Sequence, residues 1–174
     1  MKGRFSVFKV GDLVVYGNTG VCTVEQIGAS ELAGADRDKQ YYYLTPYYSD
    51  NGRIMIPCDN QRIVLRPVIS KKEADELIRD IEDIEAVVVE SEKTREITYK
   101  NIIKGCDCRE IISLLKCIYS RKMERISEGK KSTSNDEKYF NIAEDKLYGE
   151  LAISLGIDKK EVKEYIRSRV ELPE

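Results

Sequence analysis

Between Phe8 and about Val68 apolar and polar positions alternate in short runs. In "FKVGDLVVYGNTGVCTVEQI", residues 8–27, Val10, Leu13, Val15 and Val21 are set off by glycines at 11, 17 and 20. "KQYYYLT" and "RIMIP" are further β-prone runs, with "SDNG" as a turn between them. Pro57 and Pro67 close neighbouring segments. Four to six short strands in under 70 residues fit a small, strongly bent sheet or barrel of SH3 or Tudor size.

From Ser70 the period lengthens. "SKKE", "DCRE", "SNDE" and "DKKE" each place a Ser or Asp three residues before a Glu: Ser70/Glu73, Asp107/Glu110, Ser134/Glu137 and Asp158/Glu161. That spacing lets an N-cap oxygen take an orphan amide while the Glu reaches back. Helices are predicted over roughly 71–82, 93–103, 108–128, 135–155 and 159–169. In the third, Ile111, Leu114, Leu115, Ile118 and Ile126 make a broad buried face; in the fourth, Phe140, Ala143, Leu147 and Leu151 recur at helical spacing. Gly129 and Gly156 stand where C-caps belong. The expected fold class is α+β: a β-domain over 1–69 and an all-helical domain over 70–174.

Charge is unevenly spread over the helical half. Residues 70–92 hold three basic and nine acidic residues, a net of −6; residues 93–131 hold eleven and five, a net of +6. The basic middle contains Arg95, Lys100, Lys104, Arg121, Lys122, Arg125, Lys130 and Lys131, with Arg121 and Arg125 at i,i+4 spacing. One reading is a solvated helix face partly paired through Glu124 and Glu128. The other is a patch that neutralises nucleic-acid phosphates. The whole chain carries only −2, so any nucleic-acid contact must be local.

Composition narrows the chemistry. The 174 residues include no His, which removes the usual general base near neutral pH and the commonest zinc ligand. A Ser-His-Asp triad is impossible within this chain. Five cysteines and no apolar leader lead to an expectation of reduced thiols in a cytoplasm. "CDC" at 106–108 is the one close cysteine pair, and it lacks the spacing of a structural zinc site. Cys108 at a helix start keeps a thiol-enzyme or redox reading in view, weakened by the lack of His and of C-x-x-C. Cys22 and Cys58 are expected in the core. Of the clustered tyrosines 41, 42, 43, 47 and 48, alternate members on a strand face opposite sides, so some are expected exposed. No phosphate-binding glycine loop occurs. No metal, cofactor or small-molecule substrate is expected, and no run is long enough to span a membrane.

The order of these parts resembles the CarD/CdnL family of bacterial transcription regulators: the opening strands, then "YYYLT", "IPCDN", "LRPVIS" and the helical "REIISLLKCIYSRKMERISEGKK". The N-terminal part is also similar to the RNA-polymerase-interacting domain of transcription-repair coupling factor. The resemblance implies a non-enzymatic cytoplasmic regulator. Its Tudor-like domain would dock on the RNA polymerase β subunit, partly by sheet-edge pairing. Its helical domain would contact upstream promoter DNA weakly, largely without sequence preference, and modulate open-complex stability. Arginines that hold polymerase in some members fall here on Ser30 and Met55, so Arg53 or backbone pairing is the expected substitute. Members also wedge a tryptophan into the minor groove, and this chain has no Trp. Arg95 matches the basic residues that follow the wedge. A polymerase-binding adaptor without DNA contact is the alternative.

Overall fold

The computed structural model describes residues 8–17, 19–30, 32–34, 36, 38–50 and 52–170. The chain divides into two compact units, Met1–Val68 and Ile69–Glu174.

The first unit is a five-stranded antiparallel sheet. β1 is Leu13–Tyr16, β2 Gly20–Ala29, β3 Gln40–Pro46, β4 Ile54–Pro57 and β5 Leu65–Pro67, in the spatial order β4-β3-β2-β1-β5. Period-2 alternation sends Val14 and Tyr16, Cys22 and Val24, Tyr42 and Leu44, and Ile54 and Ile56 to one face, where Phe8 closes the core. Phe8 packs edge-to-face on Tyr42, 5.7 Å between centroids, and its backbone N–H donates to the Tyr42 hydroxyl at 3.2 Å. The β2–β3 register slips between Val24 and Gln26, a bulge that bends the longest strand.

One expectation is met at other positions than strand alternation points to, and one is corrected. Tyr41, Tyr42 and Tyr43 are all buried, although neighbours on a strand point to opposite faces. Both faces of β3 are covered, since Tyr42 points into the core and Tyr41 and Tyr43 on the other face are buried as well. The Arg53 guanidinium sits 5.1 Å from the Tyr43 ring centroid, and the Tyr43 hydroxyl donates to the Ala29 carbonyl at 3.1 Å. Exposure falls instead on Tyr47 and Tyr48, just past the strand. Cys22 is fully buried, but Cys58 follows the edge strand and is only half-buried.

The second unit is helical. α1 is Lys71–Arg79, α2 Glu92–Gly105, α3 Cys108–Ser127, α4 Ser134–Leu155 and α5 Val162–Arg167, with short 3-10 turns at Ile81–Asp83 and Lys159–Glu161. Ser70/Glu73 and Asp158/Glu161 form complete capping boxes. Asp107 caps α3 by accepting from the amides of Arg109 and Glu110. The N-cap of α4 is Thr133 rather than Ser134, because Thr133 Oγ1 receives the Asp136 amide. Gly129 and Gly156 adopt positive φ after α3 and α4, as a left-handed helix exit requires. α2 ends in the same way at Cys106, φ 53°, a conformation that costs a residue with a Cβ about 1 kcal/mol. The core is built on Leu114 and Ile118 of α3 and on Ala143, Leu147 and Leu151 of α4. The buried stripe of α3 stops at Ile118; Ile126, expected inside, is exposed together with Tyr119 and Met123.

The Lys116 ammonium holds the segment after α1 against α3. It donates to the carbonyls of Ile81 at 2.5 Å, Glu82 at 3.1 Å and Ile84 at 2.6 Å. The Ile81 carbonyl also accepts the Ile84 amide at 3.2 Å within the 3-10 turn, and the ammonium adds a charged donor to it and to the carbonyls of Glu82 and Ile84. Lys116→Met should therefore destabilise the unit by about 2 kcal/mol, because part-buried carbonyls lose a charged donor. Chemical denaturation of the full chain checks this. A loss under about 0.5 kcal/mol would mean that water replaces the ammonium without cost.

Candidate interaction surfaces

The sheet of the first unit has two edge strands, β4 and β5, and Met55 lies in β4 with Arg53 just before it. The Cys58 amide donates to the Gln40 carbonyl at 2.9 Å, across the continuation of the β4–β3 ladder. With the register Tyr42↔Ile56 and Leu44↔Ile54, this makes Ile56 and Ile54 the residues that bond to β3. The N–H and C=O of Met55 then point to the other side, where no described strand follows. Pro57 has the same parity and no N–H to offer. The side chains of Arg53 and Met55 lie on the face opposite the core, beside Tyr43, and Arg53 reaches Glu25 at 3.9 Å. Arg53 and Met55 are thus brought together. Ser30 is not with them: it is buried at the end of β2, and its hydroxyl accepts from the Leu32 amide at 3.1 Å.

The eight basic residues singled out in the second unit fall into four environments. Lys104, Lys122 and Lys131 are exposed and form no ion pair among the described residues. Lys100 pairs with Glu96 at 2.8 Å and Lys130 with Glu128 at 2.7 Å, both on open surface. Arg125 turns back on its own loop, with Nε donating to the Lys131 carbonyl at 2.8 Å. Such pairs cost little to break.

Arg95 and Arg121 are different. Arg95 donates from Nε and Nη2 to Glu92 Oε1, at 3.1 and 2.9 Å, and from Nη1 to the Tyr99 hydroxyl at 3.2 Å. Arg121 reaches the same Glu92 carboxylate from α3, through Nη1 to Oε1 and Nη2 to Oε2. Its Nε donates to Asp136 Oδ2 at 2.8 Å, and Tyr99 donates to Asp136 Oδ1 at 3.1 Å. The side chains of Arg95 and Arg121 are only 15% and 21% exposed, and that of Asp136 is 3% exposed; that of Glu92 is 65% exposed. Hydrogen bonds from Arg95 first, then Arg121, hold the Glu92 carboxyl down at about 2. Burial works against charge on Arg95, yet its bonds to Glu92 and Tyr99 raise its pKa overall. Burial pushes the Tyr99 hydroxyl up to about 12. Sequence reasoning placed both arginines on a surface and missed Glu92, Tyr99 and Asp136. The i,i+3 spacing of Glu92 and Arg95 was its one local signal.

Among the described residues no group of three or more His, Cys, Asp or Glu side chains is placed to hold a metal ion. Cys108 Sγ donates to the buried Glu150 carboxylate at 3.3 Å, which also accepts the Ile69 amide. No described helix is long and apolar enough to cross a membrane.

The first unit thus presents an edge strand beside a side-chain face, the geometry to which a partner's strand can add. Residues 8–69 match the family model of the CarD-like/TRCF RID domain, so this unit carries an RNA-polymerase-interacting, transcription-related domain. The match bears out the CarD-like reading of the N-terminal module and stops where the helical unit begins. No curated protein matches the chain.

Proposed function

We propose that the chain is a non-enzymatic cytoplasmic transcription regulator. In this reading residues 1–69 bind the RNA polymerase β subunit through the β4 edge at Arg53 and Met55. Residues 70–174 contact upstream promoter DNA and change open-complex lifetime. The observation that carries the proposal is the family match over 8–69, and the outward N–H and C=O of Met55 support it. Ser30 contributes by shaping the end of β2 rather than by touching polymerase.

The unpaired Lys104, Lys122 and Lys131 supply the first phosphate contacts, and Lys100, Arg125 and Lys130 join by giving up weak partners. A protein tethered to polymerase needs little DNA affinity of its own, since tethering raises effective concentration. The contact is electrostatic and positions the protein without reading sequence. The adaptor reading, with no DNA contact, draws support from the internal pairing of Arg95 and Arg121.

Replacing Lys104, Lys122 and Lys131 with Gln tests the DNA contact. Polymerase retention should be unchanged. The effect on open-complex lifetime should weaken, and the salt slope should drop by about 0.9 for each phosphate no longer neutralised. Equal lifetimes for the two proteins at every salt concentration would favour the adaptor.

A further inference from the structure

Two guanidiniums, from α2 and α3, converge on one exposed carboxylate. Arg121 is held from behind by Asp136, and Arg95 is braced by Tyr99, which also donates to Asp136. With Glu92 in place, two positive and two negative groups balance. If Glu92 swings out, the site is left with one unpaired positive charge. Asp136 is buried and cannot leave, whereas Glu92 is already largely in water. A phosphodiester carries one negative charge and presents oxygens that match the guanidinium fork.

We infer that Arg95 and Arg121 form a phosphate-binding cleft and that Glu92 is its resident stand-in, displaced when a phosphate group arrives. The inference rests on the DNA-contact reading above and adds its regulation: the two arginines are masked until a phosphate competes Glu92 away. Glu92 opens α2 with its backbone capped at Ser91, so its side chain can turn to solvent without unwinding the helix. The arginines cannot do the same. Each is mostly covered, and each needs an anion in front of it. Masking also suits a protein that meets DNA only when held on polymerase, because free duplex has to displace a carboxylate before it reaches the arginines.

The test compares wild type with Glu92→Gln, both as the full chain. Inorganic phosphate and a short duplex serve as separate probes. Binding is read by fluorescence anisotropy for the duplex and by the Nε–Hε signals of Arg95 and Arg121 for both probes. Glu92→Gln should bind the duplex about tenfold more tightly than wild type, with both arginine signals moving together, since a charge-assisted competitor has been removed. If phosphate moves both signals and the duplex does not, the cleft stands with a free phosphate as its ligand, its link to DNA is overturned, and any duplex contact runs through the lysines alone. If the duplex binds both proteins equally and neither arginine signal moves, the inference is overturned, while DNA contact through the lysines survives. Should Glu92→Gln not fold, wild type titrated to high phosphate decides: saturable movement of both signals supports the cleft, and their constancy overturns it.

Discussion

Arg121→Met should cost the helical unit about 3 kcal/mol, close to the loss expected when one partner of a buried pair is removed. Asp136 is the reason. It lies in the first turn of α4 with 3% of its side chain exposed, and Arg121 Nε is its charged partner at 2.8 Å. Without Arg121 the Tyr99 hydroxyl is the one side chain among the described residues still shown donating to that carboxylate, from 3.1 Å. Methionine fills much of the space but offers no donor, so a buried carboxylate loses its counter-charge. Arg95 does not replace Arg121, because its bonds run to Glu92 and Tyr99. The expected loss sits at the low end of the usual range because Arg121 remains partly in water. Urea denaturation of the full chain, followed by helical signal, measures it. Arg121→Met with Asp136→Leu should recover most of the loss, since an apolar pair of similar volume removes both charges together. A single-variant loss below about 0.5 kcal/mol would show that Asp136 does not depend on Arg121.

That network also marks where the sequence stopped being legible. Ser70 and Asp158 were readable as caps because a capping box is local, four residues long and set by side-chain reach. The strands of the first unit were readable because period-2 alternation survives in Val14 and Tyr16, Cys22 and Val24, and Tyr42 and Leu44. Ile126 was misplaced because helical periodicity says which residues share a face but not where the neighbouring helices end. Which of the tyrosines are exposed was not legible for a related reason: alternation separates two faces without saying that both are covered at Tyr41 and Tyr43, so exposure falls on Tyr47 and Tyr48. Arg95 and Arg121 looked like two members of a basic patch. Asp136, which holds Arg121 directly and Arg95 only through Tyr99, lies 37 residues from Tyr99 and 15 from Arg121, a distance no local pattern bridges. Net charge in a window counts such arginines as surface whether or not a buried carboxylate holds them. Cys106 is a smaller case: a left-handed exit is written as glycine at 129 and 156 and as cysteine here.

Met55→Pro should weaken retention of a β-subunit lobe fragment by about tenfold to a hundredfold while leaving the sheet intact. The asymmetry follows from the parity of β4. Ile54 and Ile56 exchange bonds with Leu44 and Tyr42, so a proline at either would remove a rung of the sheet. Met55 points its N–H away from β3, and proline is tolerated where an edge strand's N–H faces outward. The strand already contains one such residue at the same parity, Pro57. Ile54, which would precede the new proline, is in a strand, the backbone region that a following proline favours. A partner strand is affected in two ways: it loses the Met55 donor, and the ring protrudes where its backbone must approach. An unmet carbonyl in a buried interface costs about 1–3 kcal/mol, which sets the expected range. Met55→Ala separates backbone from side chain. It keeps the N–H and should retain the fragment nearly as well as wild type if edge pairing dominates. Circular dichroism of each variant shows whether the strands persist. Should Met55→Pro stay folded and bind as tightly as wild type, docking does not use this edge, and the face carrying Arg53 and Tyr43 becomes the surface to mutate next.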